Sequence, residues 1–330
     1  MADVAETYLR EQLQTRRQRL ESVVAVTRPP EDLVQLLSQV DAALSRMDQG
    51  TYGICETCHE PVEKDRLLVD PLICFCLDHL TADQRRALEQ DLELATRVQR
   101  ELLPKPDLRF AGWEASYHYQ PLGAVSGDYC DLVVHQNATR GFFFALGDVS
   151  GKGVAASMLM SQLHAIFRTL LALDLPVESL VERAGRVFCE STMSSLFATL
   201  VCGLARASGE VEVCNAGHCP ALLFQKGVVR EIAATGVPLG MFSEGWYPAQ
   251  KTAMLPGDVL LLYTDGVSEA RSTNHEEYGE TRLASVLGQA HEAPLPGLIQ
   301  ACLRDLADFR SGAPLLDDLT LLAIRRTTPA

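Results

Sequence analysis

Positive charge is scarce in this sequence. Its 330 residues carry 29 Lys and Arg against 43 Asp and Glu, a net charge of −14. That balance argues against general nucleic-acid binding and against anionic membrane surfaces, which both reward basic patches. No apolar run approaches the length of a membrane span. Residues 1–6, Met-Ala-Asp-Val-Ala-Glu, lack the basic and apolar regions of a signal peptide. The expectation is a cytoplasmic protein without membrane attachment. Two chemical signatures are also missing. There is no Gly-x-Ser-x-Gly elbow to present a nucleophilic serine. There is no phosphate-cradling Gly-x-x-x-x-Gly-Lys-Ser/Thr loop either: residues 147–153 have the wrong spacing, and Lys152 precedes a glycine.

What is present is a core and a set of acids. The chain is 47% hydrophobic and long enough for two or three domains. Of its ten cysteines, Cys130, Cys189, Cys202, Cys214, Cys219 and Cys302 are scattered through apolar sequence and read as reduced core residues. The run Phe142-Phe-Phe-Ala-Leu146 reads as a buried strand, bounded by glycine. Asp128, Asp131 and Asp148 surround it. Asp148 follows it directly, where an unpaired charge is costly. Glycines 147, 151 and 153 let the backbone turn and approach a ligand, and an apolar helix runs from about 154 to 173. The pattern recurs twice. Val259-Leu-Leu-Leu-Tyr-Thr264 is an apolar strand followed by Asp265-Gly266, and Asp317-Asp318 precede the apolar strand 319–324. Antiparallel neighbours bring the end of one strand beside the start of the next. Packing then gathers Asp148, Asp265 and Asp317 (or Asp318) at one edge of a sheet, with Asp128 nearby. Clustered carboxylates raise each other's pKa. A hard divalent cation, magnesium or manganese, relieves that repulsion with oxygen ligands alone.

The N-terminal part is built differently. Leu9, Leu13 and Leu20 recur at helical spacing. Pro29-Pro30 break that helix, and a second one carries Leu33, Val40, Leu44 and Met47, which predicts a helical hairpin. Cys55-Glu-Thr-Cys58 and Cys76-Leu-Asp-His79 then form two ligand pairs joined by a loop, the spacing of a tetrahedral zinc site. Cys55, Cys58, Cys76 and His79 are the expected ligands of one structural zinc, with Cys74 left over. A capping box at Thr81 and Gln84 opens an amphipathic helix with Leu88, Leu92, Ala95 and Leu102, read as a coiled-coil connector that ends at Pro104 and supports a homodimer. The expected organisation is residues 1–80 for hairpin and finger, 81–104 for the connector, and 105–330 for the catalytic part.

Beyond residue 105, short strands joined by tight turns alternate with a few helices, which predicts an α+β fold of antiparallel sheets flanked by helices. Residues 251–255 are expected to pair with 259–264 across Pro256-Gly-Asp258. His218, in Asn215-Ala-Gly-His-Cys-Pro220, reads as a residue holding a turn by hydrogen bonds, with a base as the other reading.

Two resemblances sharpen these expectations. Residues 43–79, through Ala43-Leu-Ser-Arg-Met-Asp-Gln-Gly-Thr-Tyr-Gly-Ile-Cys-Glu-Thr-Cys58, Arg66-Leu67, Pro71 and the second ligand pair, resemble the DksA/TraR zinc fingers. His79 replaces the usual fourth cysteine. Arg28-Pro-Pro-Glu-Asp32 lacks the Asp-x-x-Asp-x-Ala tip that such factors present to RNA polymerase, so a regulatory module is expected, with transcriptional action through the finger as the alternative. Residues 98–326 resemble the metal-dependent serine/threonine phosphatases of the protein-phosphatase-2C superfamily, SpoIIE/RsbU branch. The matching stretches are Val98-Gln-Arg-Glu-Leu-Leu-Pro104, Ser126-Gly-Asp-Tyr-Cys-Asp131, Gly147-Asp-Val-Ser-Gly-Lys-Gly-Val154, Phe197-Ala-Thr-Leu200, Asn215-Ala-Gly-His-Cys-Pro220, Gly236-Val-Pro-Leu-Gly240, Pro256-Gly-Asp-Val-Leu-Leu-Leu-Tyr-Thr-Asp-Gly-Val267 and Asp317-Asp-Leu-Thr-Leu-Leu322.

This second resemblance implies an α-β-β-α sandwich and a centre of two Mn2+ or Mg2+ ions. Asp148 would bridge them, with the Val149 carbonyl on one ion, Asp265 and Asp317 on the other, and Asp128 acting through bound water. Asp318 is the other acid of its pair. The implied activity is hydrolysis of phosphoserine or phosphothreonine on a regulatory partner, by analogy an anti-sigma-factor antagonist of the STAS type. A catalytically dead scaffold is the other alternative.

Overall fold

The structure, a computed structural model, describes residues 4–24, 31–76, 82–134, 141–193, 195–242 and 245–328. Two helices, α1 (Val4–Val24) and α2 (Glu31–Asp48), pack side by side. Tyr8, Leu9, Leu13 and Leu20 of the first and Leu33, Val40, Ala43, Leu44 and Met47 of the second are buried together, as helical spacing requires. Each buried leucine contributes about 2 kcal/mol through the apolar area it loses to the interior. The expected break at Pro29-Pro30 lies outside the described residues. The short helix α3 (Lys64–Val69) follows in the cysteine region, and Leu67 and Leu68 join the same core as Cys55 and Cys76. The connector is a helix, α4 (Ala82–Leu102), while Thr81 of the expected capping box is outside the described residues.

The remainder is a four-layer sandwich. A six-stranded antiparallel sheet has the order β1 (Asp107–Phe110), β2 (Trp113–Gln120), β11 (Leu319–Arg326), β10 (Val259–Tyr263), β7 (Ala221–Gln225), β8 (Val228–Ile232). A five-stranded antiparallel sheet has the order β3 (Asp128–Val134), β4 (Phe142–Val149), β5 (Ala198–Ala205), β6 (Glu210–Ala216), β9 (Gln250–Ala253). Alternation along the strands feeds two cores at once. Phe142, Phe144 and Leu146 of β4 meet Leu260, Leu262, Leu322 and Ile324 between the sheets. Phe143 and Ala145 face the other way, toward α5 (Gly153–Leu170) and α6 (Val177–Ser191). Leu261, Tyr263, Leu321 and Ala323 cover the outer face of the six-stranded sheet beneath α8 (Glu280–Ala290) and α9 (Leu295–Arg310). Strands buried on both faces read as continuous apolar runs, and this is why their sequences stood out.

Three expectations are corrected. Residues 250–253 pair with β6, and β10 pairs with β7 and β11, so Pro256-Gly257-Asp258 is a crossing between sheets instead of a hairpin turn. Asp258 holds that crossing by accepting the Leu255 N–H at 2.8 Å and the Gln225 side-chain amide at 2.7 Å. Second, Asp131, grouped by the sequence with Asp128 and Asp148 around the apolar run, does not join them: it is fully buried within β3. The Arg168 guanidinium grips Asp131 from both sides, at 2.8 and 2.7 Å. Third, the apolar helix at 153–173 is long and apolar enough to cross a membrane by length and composition. Its Ala156, Met160, Leu163 and Phe167 pack into the core beside α6 and the five-stranded sheet.

Candidate metal centre

Five aspartates come together at one end of the sandwich. The sequence expectation of a single sheet edge is replaced by a meeting of two sheets. Asp128, at the start of β3, lies opposite Asp148, at the end of β4. Across from them, Asp265 opens the one-turn helix α7 (Asp265–Ser268) directly after β10. Asp317 and Asp318 lead into β11, which is antiparallel to β10. Threonines tie the two sheets together here. Asp128 Oδ2 accepts hydrogen bonds from Thr264 Oγ1 at 3.1 Å and Thr320 Oγ1 at 2.5 Å, and its backbone N–H donates to Ser126 Oγ at 3.0 Å.

The two acids of the Asp-Asp pair have different surroundings. Asp318 accepts the Leu122 N–H at 2.7 Å and the Gly127 N–H at 2.9 Å, so both of its oxygens brace the loop before β3. Asp317 turns the other way. Its Oδ2 lies 2.7 Å from Lys152 Nζ. Sequence reasoning missed the bracing role, because Leu122 and Gly127 are nearly two hundred residues away in the chain.

This assembly is electrostatically uncomfortable. Burial raises Asp128 well above the usual carboxylate range, and the charges of Asp318, Asp265 and Asp317 add to it. Burial and then Asp265, Asp128, Asp317 and Asp318 do the same to Asp148. Burial, Asp317 and Glu269 push Asp265 up to about 8, against the pull of Lys152. Burial also raises Asp318, opposed by its two backbone donors. The Asp148 carboxylate makes no hydrogen bond or ion pair with a described residue.

These residues fit hard divalent cations. The donors are all oxygen, and one lysine opposes five acids. Space is kept for them too. A Cβ placed on Gly127 would stand 3.1 Å from the Val149 carbonyl oxygen and 3.6 Å from Asp148 Oδ1, so the bare glycine leaves both oxygens accessible. His218 belongs to the scaffold: its ring bridges Thr199 Oγ1 at 2.7 Å and the Tyr263 carbonyl at 3.1 Å. Burial lowers its pKa to about 4, so it stays neutral.

A second cluster lies in the N-terminal part. The sulfurs of Cys55, Cys58 and Cys76 lie within 4.8 Å of one another, with Cys58 and Cys76 at 3.5 Å. Burial opposes ionisation of Cys55, but backbone N–H groups of Cys58, Cys76 and Thr57 bring its pKa down to about 6. Three soft donors this close suit zinc. His79 is outside the described residues. Cys74 instead accepts from Arg46 Nη1 at 2.6 Å and donates to the Leu72 carbonyl at 3.2 Å.

Comparison with known proteins agrees with both clusters. Residues 138–327 match the family described as Stage II sporulation protein E (SpoIIE), and residues 50–78 match the prokaryotic dksA/traR C4-type zinc finger. The chain is 26% identical over 267 residues to Protein IcfG of Synechocystis sp., covering 72% of this chain and 41% of IcfG. It is 24% identical over 268 residues to the phosphoserine phosphatase RsbU of Bacillus subtilis, covering 78% of each. The chain thus spans less than half the length of the first relative and most of the second. In fold it is similar to the SiaA-PP2C domain of Pseudomonas aeruginosa, with a TM-score of 0.65 at 19% identity, over 74% of this chain and 98% of that one.

Proposed function

The chain belongs to the SpoIIE family, and on that premise we propose that it is a metal-dependent protein serine/threonine phosphatase, built as a regulatory hairpin and finger (1–80), a connector (81–104) and a catalytic region (105–330). The observation that carries this reading is the convergence of Asp128, Asp148, Asp265 and Asp317 at the meeting of the two sheets, where burial and mutual repulsion raise the pKa of Asp128, Asp148 and Asp265. These four, the Val149 carbonyl and Asp318 would hold two Mn2+ or Mg2+ ions. When bound, such ions acidify a water and neutralise phosphate oxygens. The chain's own residues supply the rest. Thr264 and Thr320 fix Asp128, and Asp318 fixes the 122–127 loop so that the bare edge of Gly127 faces the acids. No serine or cysteine nucleophile is required, in keeping with the missing elbow motif. A dead scaffold would have no reason to keep so many repelling acids together, since their repulsion costs stability.

The substrate is a phosphoserine or phosphothreonine on a regulatory protein, by family analogy an anti-sigma-factor antagonist of the STAS type. Dephosphorylation of a phosphorylated STAS protein tests that step. Leu88, Leu94 and Val98 are exposed along α4, which supports a homodimer through the connector. Cys55, Cys58, Cys76 and His79 would hold one structural zinc, and the protein works in the cytoplasm.

The pH dependence of cation binding tests the centre itself. Cations need ionised carboxylates, and Asp128, Asp148 and Asp265 hold their protons above the usual carboxylate pKa of about 4. Binding therefore releases protons, and affinity for Mg2+ rises with pH by up to about tenfold per unit for each proton released. Without the cation the sign of stability is the opposite. The folded pKa values exceed the unfolded ones, so the unfolded chain holds fewer protons and stability falls as pH rises toward about 8. Calorimetry at pH 6 and pH 8 should show at least tenfold tighter Mg2+ binding at pH 8. Affinity independent of pH would remove the argument.

A further inference from the structure

We infer that the N-terminal hairpin is a cap on the metal centre, with Tyr8 competing for Asp317, so that the regulatory module acts as a built-in brake. The inference rests on the phosphatase reading and gives its regulatory part a specific contact. Tyr8 is buried, and its hydroxyl donates to Asp317 Oδ2 at 3.2 Å, across 309 residues of sequence. This is the oxygen that Lys152 also holds. Gln12 donates to the same tyrosine hydroxyl at 2.9 Å, which orients it. The ring lies between two cations, with Lys152 Nζ 5.4 Å and Arg271 5.6 Å from its centroid. Arg271 in turn pairs with Glu11, one turn further along α1, at 2.5 Å.

Packing extends the cover. Leu316, next to Asp317, is buried in the hairpin's own core with Leu9, Leu13 and Met47. The finger reaches the start of α5: a Cβ on Gly153 would meet Val69 Cγ1 at 2.6 Å. Between Tyr8 and the acids Asp265, Glu269 and Asp317, the remaining cavity is about 10 Å3. That is room for about one water and far too little for a phosphoserine side chain. The hydrogen bond and ion pair occupy the Asp317 oxygen that a cation would need. Cation binding at Asp317 and docking of α1 therefore oppose one another, and by linkage each weakens the other equally.

The test uses the full chain and Mn2+ alone as probe. Tyr8→Phe removes only the hydroxyl, and Glu11→Lys repels Arg271 at the rim without opening a cavity. Calorimetry should show Mn2+ binding about three- to tenfold tighter in both variants, the scale of one ordinary hydrogen bond. In the wild type, saturating Mn2+ should speed amide hydrogen exchange in residues 4–24, and turnover of an aryl phosphate should rise in the variants. Unchanged Mn2+ affinity and unchanged exchange would overturn the cap. If the variants bind Mn2+ as the wild type does while Asp148→Asn abolishes binding, only the cap fails. If Asp148→Asn also leaves Mn2+ binding intact, the metal centre itself is wrong.

Discussion

Asp148→Asn is expected to lose about a thousandfold of kcat/KM on an aryl phosphate, about 4 kcal/mol of transition-state stabilisation. The side chain keeps its shape and loses its charge. Asp148 is the acid with no hydrogen-bond or ion-pair partner among the described residues, and its neighbours Asp265, Asp128 and Asp317 all oppose its ionisation. No described residue pairs with that charge, in keeping with the proposed role of Asp148 as a metal ligand. The same change should make the cation-free protein melt a few degrees higher near pH 8, because one repelling charge is gone. Loss of activity with gain of stability is the signature of a site kept under strain for function. A variant that lost activity by unfolding would melt lower. Steady-state kinetics and thermal melting on one preparation separate the two.

The second large effect is at the finger. Bound zinc contributes about 10–16 kcal/mol to folding of such small modules. Cys55 and Cys76 also sit in the hairpin core beside Leu67 and Leu68, so losing zinc loosens packing as well as ligation. Cys76→Ser is expected to reduce zinc content from about one per chain to below about a tenth and to open residues 50–78 to protease. The fourth ligand can be settled in the same assay. His79→Ala should lose zinc, whereas Cys74→Ala should retain it, because that thiol is engaged by Arg46 and the Leu72 carbonyl. Retention of zinc in His79→Ala and loss in Cys74→Ala would make the finger a four-cysteine site, the type named by the family it matches.

Much of the architecture was legible because its strands are buried on both faces. Phe142-Phe-Phe-Ala-Leu146 had to be a strand between two cores, and the structure splits it by alternation between them. The acids were legible for a related reason: an aspartate at the end of an apolar strand is costly without a partner. What escaped was non-local. Pro256-Gly-Asp258 has the composition of a hairpin turn, yet the chain changes sheets there, and only pairing with β6 decides it. Asp131 was only one of the carboxylates around the apolar run, and its partner Arg168 lies 37 residues away on a helix. The contact of Tyr8 with Asp317 spans almost the whole chain, and no local pattern marks it. Local chemistry revealed which residues needed partners, and tertiary structure decided which partners they found.

The most direct test is turnover of an aryl phosphate by the full chain as Mn2+ is titrated in, with Asp148→Asn alongside. Turnover is expected to be negligible after divalent ions are removed, to rise and saturate as Mn2+ fills the centre, and not to rise in Asp148→Asn. Turnover that ignores Mn2+, or an equal rise in Asp148→Asn, would contradict a metal-dependent centre at Asp148.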